Sequence, residues 1–157
     1  LEPGDPRRGA ILRHETAHHV VAELGRERVP VWLNEGIAMW AEEIDDERRS
    51  WSEERLVGRP IVPLRQLQRP FSQLEREAAE AAYAQSYWSV QTIAADHGAD
   101  ALVTLLEELG EGAELDVAFR RSTGRSFVSF ERRLLDALQR DFGAYRAGSG
   151  DDRAPTT

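Results

Sequence analysis

The sequence predicts a mainly α-helical domain. Apolar residues recur at helical spacing in several segments, glycines stand where those segments stop, and no stretch alternates apolar and polar residues as a half-buried strand does. The chain has 157 residues, 41% hydrophobic and 31% charged. That is enough for one domain with its own core.

Ile11, Leu12, Val20, Val21 and Leu24 define a helix over residues 9–24, with Gly25 as its stop. Residues 1–8, rich in Pro, Gly and Arg, read as a linker or entry loop. A second helix is expected over residues 33–48, from Leu33 through Ile37, Met39 and Trp40. Gly58, Pro60, Pro63 and Pro70 make residues 50–71 an irregular excursion. Ser72-x-x-Glu75 reads as a capping box that opens a long helix ending at His97, before Gly98. His97 suits that helix C-terminus as a cation. Further helices are expected over 100–109, 113–121 and 127–142, separated by Gly110, Gly112 and Gly124. Phe127, Phe130, Leu134, Leu135 and Leu138 form the core face of the last one. Val29–Leu33 is the best strand candidate, and Pro30 confines it to a sheet edge. The domain thus spans residues 9–143, and residues 144–157, rich in Gly, Ser, Asp and Pro, read as a disordered tail.

The net charge of -8 argues against a nucleic-acid partner, which needs a basic face. No apolar run reaches the roughly 20 residues of a membrane span. The chain has no cysteine, so disulfides and thiolate metal sites are excluded, and a metal would need His, Asp or Glu. Every basic residue is arginine, most simply a compositional bias. The opening Leu1-Glu2-Pro3-Gly4 carries no initiating Met and reads as the start of a piece of a longer protein. The compartment stays open on that reading, an extracytoplasmic one included.

His14-Glu15-Thr16-Ala17-His18 is an H-E-x-x-H sequence. Residues four apart share one helix face, so both imidazoles can reach one ion. Glu15 is offset from His14 by about 100° round the helix. Its carboxylate can therefore face a water on the metal rather than the metal. Zn2+ lowers the pKa of such a water toward about 7, and a nearby carboxylate can take its proton. The plainer alternative is a surface helix carrying solvated His and Glu. His19 is out of phase with the pair and reads as a flanking residue. A metzincin would carry a third His at the position of Leu24 and a Gly at that of Val21, so that class is excluded.

Downstream stands Trp32-Leu33-Asn34-Glu35-Gly36-Ile37-Ala38. This segment resembles the W-L-N-E-G-x-A element of gluzincin metallopeptidases, and residues 10–142 resemble the compact peptidase MA-like domain family of that clan. The resemblance implies the helical catalytic part of a zincin-like fold, with the small preceding β-sheet missing or truncated. It implies Zn2+ held by His14, His18 and Glu35, a peptide or protein substrate, and Glu15 as general base. Glu35 follows His18 by 17 residues, somewhat fewer than in the aminopeptidase branch, and Gly25–Val29 is where a shortened loop fits. Without the motif, Glu35 would read as a carboxylate at a helix start. The resemblance also places an acidic residue at Glu42, where it could orient His14, against the plain reading of a solvated Glu in an acidic run. Similar peptidases carry a Tyr-x-Lys-Gly element whose Tyr stabilises the oxyanion. Tyr83 matches that Tyr, Gln85 and Ser86 replace the Lys and Gly, and Tyr87 is the fallback. The rival function is a non-catalytic metal-binding or interaction module. Substrate identity, endo- or exopeptidase action and oligomeric state are not legible in the sequence.

Overall fold

The computed structural model describes residues 6–42 and 45–143. Seven α-helices follow one another among these residues: α1 (Pro6–Gly25), α2 (Val31–Ala41), α3 (Asp45–Leu56), α4 (Arg76–His97), α5 (Ala99–Gly110), α6 (Leu115–Thr123) and α7 (Phe127–Phe142). Single 3-10 turns stand at Arg26–Arg28, Leu64–Gln66 and Phe71–Gln73. No strand occurs among the described residues, so the fold is mainly α, as the periodicity predicts. None of the described helices is long and apolar enough to cross a membrane.

The bundle is built round the pair α2 and α4. α1 packs on α2 and α5, α3 packs on α4, and α6 joins α5 to α7. α2 is apolar on almost every side because it lies between α1 and α4, and Trp32, Leu33 and Ala38 are fully buried. Val90 and Ile93 of α4, Leu105 of α5, Phe119 of α6 and Phe130 of α7 complete the centre. Each large apolar side chain so buried contributes about 1.5–3 kcal/mol relative to exposure.

Four expectations are corrected. α1 already includes residues 6–8, which the sequence assigns to a linker. A proline in the first turn loses nothing, because that N–H has no intrahelical acceptor. The helix expected over 33–48 is two helices, and α3 runs on to Leu56, into the segment expected to be irregular. Arg13 of α1 caps the end of α2: its Nε lies 3.2 Å from the carbonyl oxygens of both Ala41 and Glu42. The strand candidate Val29–Leu33 is instead the approach to α2 and its first residues, with Pro30 as the N-cap residue and the Trp32 N–H donating to the Leu67 carbonyl at 3.1 Å. The capping box does not form. Buried Phe71 anchors a separate 3-10 turn, and α4 begins only at Arg76 with no side-chain cap. Residues 1–5 and the expected tail 144–157 lie outside the described residues.

The excursion after α3 is fixed by side chains rather than by a sheet. The Val62 N–H donates to Gln85 Oε1 at 3.2 Å, and Gln85 Nε2 donates back to the Val62 carbonyl. The Leu64 N–H donates to Glu131 Oε1 at 2.7 Å.

α2 and α4 cross at Gly36. A Cβ there would lie 2.5 Å from the Ser86 carbonyl oxygen and 2.7 Å from Val90 Cγ2. The first of these is backbone and cannot turn away. Gly36→Ala should therefore destabilise the protein by about 1–3 kcal/mol. Urea unfolding should show a lower midpoint at unchanged slope. An unchanged midpoint would mean that the crossing yields without strain.

Candidate metal centre

α1 presents His14 and His18 one turn apart, and α2 presents Glu35 opposite them. One ligand atom from each lies within 4.8 Å of the others. The two imidazoles meet edge to face with centroids 4.8 Å apart, and their Nε2 atoms are separated by 3.1 Å. His18 Nε2 lies 3.8 Å from Glu35 Oε2. The side chains of His14, His18 and Glu35 are 23%, 25% and 21% exposed, so the cluster is open on one side.

Each ring is held from behind. His14 Nδ1 lies 2.8 Å from Glu42 Oε1, and His18 Nδ1 lies 2.9 Å from Asn34 Oδ1. With both Nδ1–H groups donating to these oxygens, both Nε2 atoms present lone pairs to each other. Such lone pairs repel unless a proton or a cation lies between them. A tetrahedral ion about 2.0–2.1 Å from each nitrogen needs the nitrogens about 3.3 Å apart. The donor set therefore fits a divalent cation of the zinc type, with one carboxylate and two neutral nitrogens.

The Glu42 hydrogen bond raises the His14 pKa above the ordinary histidine value, burial opposes this, and the charges of Glu42, Glu35 and Glu15 add to the rise. A carboxylate behind the ring makes the imidazole a stronger donor. Glu42 is itself only 8% exposed, so it is a buried group rather than the solvated member of an acidic run. Its second oxygen accepts from Arg48.

Glu15 is exposed beside the cluster and not in it, near enough for its charge to act on His14. His19 is exposed on the helix flank and outside the cluster. The two tyrosines part company. Burial raises the Tyr83 pKa, and the charge of Glu35 raises it further. Its hydroxyl thus stays a proton donor through neutral pH, within reach of the Glu35 charge. Burial also raises the Tyr87 pKa, but the charges acting on it are those of Arg49, Arg48 and Glu53 on α3. The Tyr83 ring is held edge-on by Phe71, with centroids 4.9 Å apart. Gln85 and Ser86 have structural tasks, the first tying down Val62 and the second backing Gly36.

Asn34 is the residue that sequence reasoning missed. Its position immediately before Glu35 was the available signal, since neighbours on one helix can serve adjacent parts of a site. Paired histidines on one helix, faced by a glutamate on a second, form a group that could hold a metal ion. The profile of the peptidase MA superfamily matches residues 5–138, and the chain belongs to that superfamily. Comparisons with curated proteins and with solved structures gave no match.

Removing a support behind a ring should weaken cation binding without removing a ligand. Asn34→Ala and Glu42→Gln are each expected to raise the Kd for Zn2+ about 10–100-fold. Competition against a chromophoric chelator measures this, and wild-type affinity in both variants would strip the two contacts of that role.

Proposed function

We propose that the protein is a zinc-dependent peptidase acting on peptide or protein substrates. The observation that carries this reading is the convergence of His14 Nε2, His18 Nε2 and a Glu35 carboxylate oxygen, with both Nδ1 atoms tied back. Glu15 beside that cluster supplies what hydrolysis adds to mere binding.

His14, His18 and Glu35 would hold Zn2+. When bound, the ion supplies Lewis acidity, lowering the pKa of a coordinated water and polarising a substrate carbonyl. Glu15 acts as general base toward the attacking water and then carries that proton to the leaving amine. Its exposure suits this exchange, since it must face both water and substrate. Tyr83 donates its hydroxyl to the oxygen that gains negative charge at the tetrahedral stage, and its raised pKa keeps that proton in place. Asn34 and Glu42 hold the rings so that Nε2, not Nδ1, faces inward.

Metal content and activity separate the roles. Wild type purified without chelator should carry about one zinc per chain. Glu35→Gln should lose most of it, and zinc-free wild type after reconstitution would overturn the reading. Glu15→Gln should keep its zinc and lose about 10²–10⁴-fold in kcat on a peptide substrate. Full activity in that variant would remove Glu15 from the mechanism. Tyr83→Phe should lower kcat about 10²–10³-fold with little change in KM. An equal loss in Tyr87→Phe with none in Tyr83→Phe would transfer the role.

A further inference from the structure

We propose that Arg48 is a positioning residue for the metal centre: it clamps the Glu42 carboxylate in the orientation that aims His14 Nε2 at the cluster. This rests on the metal-binding reading above and names a residue two contacts removed from the ligand atoms.

Glu42 follows the last residue of α2, where backbone freedom rises, yet it is held at three points. Arg13, the residue before His14, donates through Nε to its carbonyl oxygen at 3.2 Å. His14 Nδ1 lies 2.8 Å from Oε1, and the Arg48 guanidinium donates to Oε2. The chain Arg48–Glu42–His14 thus gives each carboxylate oxygen one donor. A carboxylate with one donor can swing about its terminal torsion, which is soft. With Arg48 on the other oxygen, rotation breaks two charge-assisted bonds at once.

The pair is no ordinary surface ion pair, whose contribution solvent would screen. The side chains of Arg48 and Glu42 are only 18% and 11% exposed. Arg48 is itself restrained. Its guanidinium carbon lies 5.2 Å from the centre of the Trp51 ring, one turn along α3. That ring is flanked by Arg55 at 5.5 Å, and Arg55 Nε lies 2.8 Å from Glu80 Oε2 of α4. The platform under Arg48 is thereby fastened to the helix that carries Tyr83. Among the described residues α3 supplies no ligand atom, and Arg48 is what links it to the cluster.

The test measures Zn2+ affinity by chelator competition in wild type, Arg48→Met, Arg48→Lys, Glu42→Gln and the double variant Arg48→Met/Glu42→Gln. Proton NMR of the zinc-loaded proteins follows the His14 Nδ1–H signal. Arg49→Met, an arginine of α3 that pairs with Glu53 and lies over Trp88, outside the Arg48–Trp51–Arg55 platform, is the control for loss of packing in α3. The expected result is an about 10–100-fold higher Kd in Arg48→Met, partial recovery in Arg48→Lys, and near-wild-type affinity in Arg49→Met. The double variant should bind no more weakly than Glu42→Gln alone, because Arg48 acts through that carboxylate. The Nδ1–H signal, sharp in wild type, should broaden by exchange with water in Arg48→Met. Wild-type affinity and an unchanged signal in Arg48→Met would overturn the proposal, as would losses that simply add in the double variant. If Arg48→Met fails to fold, Arg48→Lys decides alone, and wild-type values there for both affinity and signal would overturn it. Absence of zinc binding in wild type would overturn the metal reading itself and this proposal with it, a result distinct from failure at Arg48 alone.

Discussion

The backbone of α4 passes so close to Gly36 that one methyl group there would overlap the Ser86 carbonyl. That contact sets the distance between the two central helices, and much of the site follows from it. Asn34 and Glu35 stand just before the crossing on α2, and Tyr83 stands one turn before Ser86 on α4. A wider crossing would draw Tyr83 away from Glu35. It would also open the buried layer of Trp32, Leu33 and Val90 that keeps α2 in place. The glycine after the glutamate is thus a packing device that serves the chemistry beside it.

The two histidines are supported unequally. A carboxylate stands behind His14 and a neutral amide behind His18. Both supports come from α2, at its two ends, so one helix braces both rings presented by the other. This depends on α2 stopping where it does. Arg13 takes the carbonyls of Ala41 and Glu42, and the helix that carries the histidines thereby also ends the helix that orients them.

Most of this could be read from residue order. Helical periodicity located six of the helices, and the H-E-x-x-H and W-L-N-E-G-x-A segments pointed to the three residues that the structure brings together. α3 was not legible as a separate helix because its sequence, DDERRSWSEERL, shows little apolar period; its buried face is Ser52 and Leu56, helped by arginine stacking on Trp51. The end of α2 was hidden because the group that caps it, Arg13, lies 28 residues upstream of Ala41. Ser72 and Glu75 had the spacing of a cap, but a tertiary contact, the burial of Phe71, outweighed local preference. Asn34 went unassigned for a related reason. Its role needs the rotamer of a ring on another helix, and no one-dimensional pattern records that.

Gln85 stands where the Tyr-x-Lys-Gly element that Tyr83 resembles has its lysine, and motif comparison alone would count it as a departure. In the folded chain its amide acts as a one-residue stand-in for a neighbouring strand, offering an acceptor to the Val62 N–H and a donor to the Val62 carbonyl. Only a primary amide on a stem of this length can offer both. Glutamate would set oxygen against oxygen, and asparagine would fall short. The constraint on this position is therefore one of hydrogen-bond polarity rather than of charge or reactivity, and it belongs to the loop it fastens rather than to the tyrosine two places before it.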